Sequence, residues 1–310
     1  MVRIVVTVIV IAVVGYFFTT ALADNWSQVA AIDYSPSWEA ALAAVCFVAA
    51  VPLTGLLWRA IVERLQDTER VGIREAIAVQ SASWLLKYVP GQLGSFVYKM
   101  SWGLRRGLPR SLVGVSFVYE NIFLVLAGTV PPVAVLAVTI PFADFAGSLG
   151  TIALPLIAVV PLLALASPAV LHRLVGTPVE RLLHERLERS NFLPGLSAMG
   201  FALAFLGPRI LNGIGFVAIV QSVHPVPATA WIPLASAYIL AGVAGLLAIF
   251  VPSGIGVREA VIVLFASLYL PLPVAIVTAL VARLISTVSD VLVAGLWAAT
   301  RHALPRAAAA

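Results

Sequence analysis

Residues 251–259 read Val-Pro-Ser-Gly-Ile-Gly-Val-Arg-Glu and interrupt an otherwise apolar region, 231–271. Residues 87–94 read Lys-Tyr-Val-Pro-Gly-Gln-Leu-Gly and interrupt a second, largely apolar region, 73–105, in the same way. Proline lacks the backbone N–H that a helix needs, and glycine disfavours the helical state, so each break ends one helix and precedes another. We therefore predict that each region is a hairpin of two half-helices.

The two breaks correspond at a fixed spacing along the chain, since residue numbers 90 and 252 differ by 162. The matching residues are Pro90 with Pro252, Gly94 with Gly256, and Leu108-Pro109 with Leu270-Pro271. Three predicted spans, 111–138, 149–171 and 196–221, separate the two hairpins. Because three is an odd number, the two hairpins must enter the membrane from opposite sides. Interrupted apolar segments at corresponding positions of an inverted repeat indicate the binding site of a transporter.

The composition places most of the chain in a lipid bilayer. The 310 residues are 61% hydrophobic and 11% charged, whereas soluble domains contain about 25% charged residues. Six runs have about the 20 apolar residues that cross a bilayer as a helix: 4–23, 40–58, 111–138, 149–171, 196–221 and 273–299. The first run ends in Ala21-Leu22-Ala23, which resembles a signal-peptide cleavage site, but its length favours an uncleaved span. We predict an all-α polytopic membrane protein of about six full spans and two oppositely oriented re-entrant hairpins.

The basic residues indicate the orientation of the spans. The connectors 24–39, 139–148 and 222–230 contain no Lys or Arg. Fifteen of the 19 basic residues occur in five other places: Arg3; Arg59, Arg64, Arg70 and Arg74; Lys99, Arg105, Arg106 and Arg110; Arg173, Arg181, Arg186 and Arg189; Arg301 and Arg306. Loops rich in Lys and Arg stay in the cytoplasm, so we predict that both termini are cytoplasmic. The excess of basic residues then reflects the orientation of the spans and does not indicate that the protein binds nucleic acid.

The predicted spans divide one transmembrane domain, 1–310, into five segments. In chain order these are a first span with an outer loop (1–39), repeat half A (40–138), a linking span with a basic cytoplasmic loop (139–195), repeat half B (196–299) and a cytoplasmic tail (300–310). Each half contains one of the two broken hairpins, so both halves would contribute to one binding site.

Seven ionisable residues lie inside apolar segments: Lys87, Glu120, Arg209, Arg258, Glu259, Arg283 and Asp290. A charge at the bilayer centre costs about 2.5–3.5 kcal/mol on insertion scales, so these side chains should face the bundle interior or a hydrated cavity. Glu120 and Arg283 fall at similar depths in equivalent spans, so we predict that they pair across the pseudo-twofold axis. The alternative is that the whole set forms internal salt bridges and binds nothing.

Arg258 and Glu259 open the predicted helix that follows the second break. The N-terminus of a helix favours an anion, phosphate especially, and Arg258 would add a bidentate donor. Glu259 would interact favourably with the dipole of this helix or pair with Arg209 or Arg283. Lys87, which precedes the first break, would act in the opposite half. The predicted substrate-binding set is completed by the break residues Pro90, Gly94, Pro252, Gly254 and Gly256.

The two breaks, together with Ala282-Arg283-Leu284, resemble the lysylphosphatidylglycerol synthase transmembrane-region family. The resemblance covers roughly residues 40–299, and the second motif, P-x-G-x-G-x-R-E, is the more specific one. It implies a flippase-like membrane domain, which in the fused synthases is held to move aminoacylated phospholipid between leaflets. It also implies a stand-alone member without the soluble domain that performs aminoacyl transfer, in a bacterial or archaeal cytoplasmic membrane.

We therefore expect a flippase-like transporter of an anionic phospholipid or of a polyprenyl or other lipid-linked precursor. One alternative is a non-catalytic membrane subunit or scaffold of a lipid- or glycan-modifying system. An intramembrane enzyme is less favoured, because Ser253 has no evident base within reach and the four histidines lie in or next to connectors. We expect no cofactor or metal, and membrane lipids with anionic head groups as partners, with a homo-oligomer or a lipid-synthesis enzyme as further possible partners.

Overall fold

The structure is a computed structural model that describes residues 23, 26–27, 37–65, 70–88, 93–139, 168–184, 186–248, 251 and 254–304. These residues form helices and connecting turns and no β-strand, which confirms an all-α membrane protein. The predicted span 4–23, apart from residue 23, and all but the last four residues of 149–171 lie outside the described residues.

The described α-helices are α1 (Trp38–Leu65), α2 (Ile73–Leu85), α3 (Leu93–Arg105), α4 (Arg110–Thr139), α5 (Pro168–Leu183), α6 (Gly195–Ala204), α7 (Leu206–Val223), α8 (Trp231–Leu247), α9 (Val257–Ala266) and α10 (Leu272–Thr300). Five stretches of them are long and apolar enough to cross a membrane: Trp38–Leu65, Arg110–Thr139, Gly195–Val223, Ala228–Leu247 and Leu272–Ala303. Four of these contain the predicted spans 40–58, 111–138, 196–221 and 273–299.

The two interrupted regions differ in helix length. In the first, α2 and α3 have 13 residues each, too few to cross a bilayer core, which takes about 20. In the second, α9 has only 10 residues, but Ala228–Leu247 has 20 and is long enough to span. By length and composition, Ala228–Leu247 could therefore cross the membrane, so the half-helix description of the start of region 231–271 stays a prediction. The re-entrant course of the two hairpins stays a prediction.

A helix interruption also separates α6 from α7, at Phe205. Three residues later, Pro208 has no N–H to donate to the carbonyl of Ala204, so the helical hydrogen bonding lapses at this turn. The Gly195–Val223 segment is thus one apolar span with a local irregularity near its middle. This irregularity directly precedes Arg209, one of the predicted intramembrane charges.

The helices pack so that each broken region contacts the other half of the chain. Helix α2 packs against α10, α8 packs against α4, and α1 packs along α7. The starts of α4 and α10, at residues 110 and 272, differ by 162, and so do the ends of α2 and α8, at residues 85 and 247. These bounds agree with two corresponding halves, and the opposite orientation of the halves stays a prediction.

Candidate substrate-binding cavity

A cavity of about 210 Å³ lies among the helices, between the two halves. Lys87 and Ser95 line it from either side of the first break, and Val251 and Arg258 line it from either side of the second. Pro90 and Pro252 themselves lie outside the described residues. The segments that flank both breaks therefore open onto one internal space, although the approach of the two break tips stays a prediction.

The turn before α9 brings Arg258 into the cavity wall. Gly254 and Gly256 have φ angles of 63° and 84°, a region of conformation that glycine adopts without strain. Gly254 also packs on Gly245 of α8 so closely that a Cβ at position 254 would lie 2.5 Å from the Cα of Gly245. Two glycines thus hold the turn against α8, where the Arg258 guanidinium donates a hydrogen bond to the Tyr238 hydroxyl and lies 4.5 Å from the centre of its ring.

Tyr238 is itself held by two phenylalanines from neighbouring helices. Its ring stacks on Phe47 of α1 with centroids 5.4 Å apart and on Phe216 of α7 with centroids 4.6 Å apart. Such aromatic contacts are typically worth about 0.5–1.5 kcal/mol beyond the area they bury. The partner of Arg258 is therefore a fixed aromatic side chain, and Arg258 is oriented before any ligand arrives.

Glu259 stabilises the same helix end. Its Oε2 accepts a hydrogen bond from the N–H of Gly256 at 2.6 Å, and its Oε1 lies 3.8 Å from Nη1 of Arg283 on α10. Of the predicted partners, the contact is therefore with Arg283 and not with Arg209. Glu259 and Arg283 do not line the cavity, and neither do Gly94, Gly254 and Gly256. A role of these five residues in substrate binding stays a prediction, and Glu259 and Arg283 would act by shaping the cavity.

Lys99 and Glu120 form a buried ion pair between α3 and α4. Their side chains are only 1% and 4% exposed, and Gln80 of α2 donates a hydrogen bond of 2.9 Å to Oε1 of Glu120. The structure differs from the prediction in two respects here. Lys99 was left out of the ionisable residues expected in the interior, yet it is buried there. Glu120 does not pair with Arg283, because each has another partner.

A second ion pair joins the two halves. Nζ of Lys87 and Nε1 of Trp84 each donate a hydrogen bond of 2.7 Å to Oδ1 of Asp290 on α10. Nζ of Lys87 also lies 4.1 Å from the centre of the Trp84 ring, within range of a cation–π interaction. This geometry agrees with the prediction that Lys87 reaches the opposite half.

Arg209 reaches the cavity from α7. Its Nε and Nη2 donate hydrogen bonds of 3.2 and 2.8 Å to the carbonyl oxygen of Leu124 on α4. Two glycines leave room for the guanidinium, since a Cβ at Gly128 would lie 3.1 Å from Nε and one at Gly242 would lie 3.6 Å from Nη1. Within the part of the chain that the structure describes, neither Arg209 nor Arg258 forms an ion pair with a carboxylate.

The charges that line the cavity do not balance. Its described lining holds the cations Lys87, Lys99, Arg209 and Arg258 and the carboxylates Glu120 and Asp290, which leaves two formal positive charges. The two lysines face the two carboxylates, so the excess resides on the arginines. A guanidinium offers a planar fork that matches phosphate or carboxylate oxygens. Among the residues described, no group of three or more His, Cys, Asp or Glu is placed to hold a metal ion.

Sequence reasoning missed several polar residues of this wall. Gln80, Trp84, Asn121, Asn212 and Tyr238 all line the cavity. They were missed because only charged side chains inside apolar segments were taken as candidates. Trp84 lies near a helix end, where a tryptophan usually belongs to the aromatic belt at the membrane–water interface. One signal was available for Lys99, because it follows Ser95 by four residues, which places the two on one face of α3.

The fold and the cavity define a multi-pass α-helical membrane protein with an internal cavity of net positive formal charge between two broken helical regions. The chain belongs to the family described as the lysylphosphatidylglycerol synthase TM region, whose model matches residues 2–294. This confirms the resemblance drawn from the two breaks. No curated protein matches the chain.

Proposed function

We propose that the protein is a flippase-like transporter that moves an anionic phospholipid, or a polyprenyl or other lipid-linked precursor, between the leaflets of a membrane. One observation carries the proposal, namely the internal cavity with two positive charges in excess, lined from both breaks and from both halves. An uncompensated charge inside a membrane protein is costly, so it indicates a ligand or water at that place. Membership of a flippase-like family supports the same function.

The size of the cavity suits a head group and not a whole lipid. Its volume of about 210 Å³ is below the roughly 300–1,000 Å³ of pockets that enclose drug-sized ligands. In our proposal the phosphate enters the chamber, where Arg258 holds it, while the acyl or prenyl chains remain in the bilayer. The ion pairs Lys87–Asp290 and Lys99–Glu120 provide a polar wall without adding net charge.

The test is lipid translocation in liposomes that contain the purified full chain and a fluorescent anionic phospholipid. We expect wild-type protein to move the lipid between leaflets. Arg258→Lys keeps the charge but loses the planar fork, so it should impair transport, and Arg258→Ala should impair it further. Arg105→Ala is the matched control, because Arg105 is exposed on α3 and its loss should leave transport unchanged.

Each variant also needs a melting temperature in detergent, which separates a role in binding from a role in folding. Full transport by a stably folded Arg258→Ala protein would remove Arg258 from the binding site. Absence of lipid movement with folded wild-type protein would refute the transporter and favour a scaffold for a lipid-modifying enzyme. A chemically altered lipid would favour an intramembrane enzyme.

A further inference from the structure

We propose that Arg209 and Arg258 together form a subsite for a phosphate group that carries two negative charges, either a phosphate monoester or a diphosphate. The inference rests on the proposed function and narrows its substrate from any anionic head group to a dianionic one. Both side chains line the same cavity of about 210 Å³, from α7 and α9 respectively. Neither forms an ion pair with a carboxylate of the described residues.

Both guanidinium groups line the cavity and have N–H donors that bond to no other described residue. A guanidinium has five N–H donors. The hydrogen bonds recorded for Arg209 use Nε and Nη2, both toward Leu124, and Nη1 makes no hydrogen bond to another described residue. Arg258 uses Nη2 toward Tyr238. Asn212, three residues after Arg209 on α7, also lines the cavity and adds an amide.

The charge count favours two negative charges over one. A phosphate monoester carries about −1.5 to −2 charges at pH 7 and presents three strong acceptor oxygens. A phosphodiester carries a single negative charge and has only two unesterified oxygens, so it would leave one arginine uncompensated in a low-dielectric site. Because Lys87 and Lys99 are already paired with Asp290 and Glu120, the dianion completes the neutralisation of the described lining.

The experiment measures binding to the purified full chain in detergent, with short-chain lipids of identical tails. The probes are phosphatidic acid as the monoester, phosphatidylglycerol as the diester and phosphatidylcholine as the zwitterion, together with inorganic phosphate and pyrophosphate. We expect wild-type protein to bind phosphatidic acid at least about tenfold more tightly than phosphatidylglycerol, the effect of one charge-assisted hydrogen bond. Inorganic phosphate should bind more weakly than phosphatidic acid, since it lacks the chains.

Substitution of either arginine should remove this selectivity. Arg209→Gln and Arg258→Gln should each weaken phosphatidic acid binding about 10- to 100-fold and affect phosphatidylglycerol less. Arg105→Gln, which removes an exposed positive charge from α3, should change neither affinity. Selectivity that survives in folded Arg209→Gln and Arg258→Gln proteins would overturn the subsite.

A pH titration of the wild-type protein tests the same inference without any variant. The second ionisation of a phosphate monoester has a pKa of about 6. Affinity for phosphatidic acid should therefore rise between about pH 5 and pH 7.5 relative to the affinity for phosphatidylglycerol. The diester corrects for titration of the other charged groups that line the cavity, Lys87, Lys99, Glu120 and Asp290. A constant ratio of the two affinities would overturn the inference.

The remaining outcomes separate this inference from the proposed function. Selective binding of phosphatidic acid without translocation in liposomes would keep the subsite and refute the transporter. Translocation with equal affinities for monoester and diester would keep the transporter and refute the subsite. Inorganic phosphate that binds as tightly as phosphatidic acid would show a site for a water-soluble anion, and would overturn a lipid as its source.

Discussion

Replacing Lys99 with methionine removes one partner of the buried Lys99–Glu120 pair and keeps a side chain of similar length. The Glu120 carboxylate, whose side chain is 4% exposed, would then keep only the hydrogen bond from Gln80 at 2.9 Å. Removing one partner of a buried ion pair typically costs about 3–5 kcal/mol, because the other charge remains buried without compensation. The cation–π contact of Lys99 with Trp58, at 4.2 Å, is lost as well. We expect Lys99→Met to lower the free energy of unfolding by at least about 3 kcal/mol.

The double variant Lys99→Met/Glu120→Gln removes both charges and should recover most of this loss. Replacing both partners of a buried pair with neutral groups is often close to neutral in stability. The two substitutions should therefore be non-additive, with a coupling energy of about 2–3 kcal/mol, within the range found for residues in contact. Arg105→Met is the control on the same helix, and because Arg105 is exposed its effect should stay within about 0.5 kcal/mol.

The chain carries its own reporter of unfolding. Cys46 is the single cysteine of the sequence and is only 6% exposed, so a thiol-reactive fluorophore should label it when the bundle opens. Unfolding would be followed in mixed micelles with increasing sodium dodecyl sulfate. If Lys99→Met proves as stable as Arg105→Met, or if the double variant is no more stable than Lys99→Met alone, the buried pair is not formed in the folded protein.

Two further predictions concern the glycine turn and the topology. Gly254→Ala should destabilise the protein by at least about 2 kcal/mol, because residue 254 has a φ of 63° and its new Cβ would lie 2.5 Å from the Cα of Gly245. Gly295→Ala is its control, since nothing lies within 4 Å of a Cβ there, and equal melting temperatures of the two variants would contradict the reasoning. In a background without the native cysteine, Gly107→Cys and His224→Cys should be labelled by an impermeant reagent from opposite sides of the membrane, and labelling from the same side would refute the predicted orientation.

The long spans could be predicted from the sequence because hydropathy and length are local properties. Twenty apolar residues specify a span whatever they pack against. The positions of the breaks were also predictable, since proline and glycine act on their own backbone. Gly254 and Gly256 show this directly, with φ angles in the left-handed region beside Pro252. A Pro/Gly break does not specify how long the helix before it is, and Ala228–Leu247 has 20 residues where α2 has 13.

Partners of the buried charges could not be predicted in the same way. The sequence indicates the depth of a residue in a span, but the rotation of each helix decides which neighbour its side chain meets. Glu120 and Arg283 were paired by depth alone, and in the structure they meet Lys99 and Glu259 instead. Lys99 was grouped with Arg105, Arg106 and Arg110 as a residue that indicates the cytoplasmic side, whereas helix α3 places its side chain in the interior.

In each half, an ion pair joins the second helix of the broken region to the long helix that follows it, and the acid and the base are exchanged between the two halves. In the first half, Lys99 on α3 pairs with Glu120 on α4, and in the second, Glu259 on α9 lies near Arg283 on α10. Adding 162 to residues 99 and 120 gives 261 and 282, within two residues of the second pair. Each pair ties the second helix of a broken region to the long helix that follows it.

The exchange of acid and base between the two pairs supports the position that we propose for the anion. The acid of the second half lies in the first turn of α9, where it caps the N–H of Gly256 and satisfies the helix end from behind. Arg258, its neighbour, faces the cavity, and Arg209 of the same half joins it there. The buried cations of the first half, Lys87 and Lys99, each have a carboxylate. The uncompensated charge of the described lining therefore belongs to the second half alone, so the proposed anion site is asymmetric, although the helix bounds of the two halves correspond.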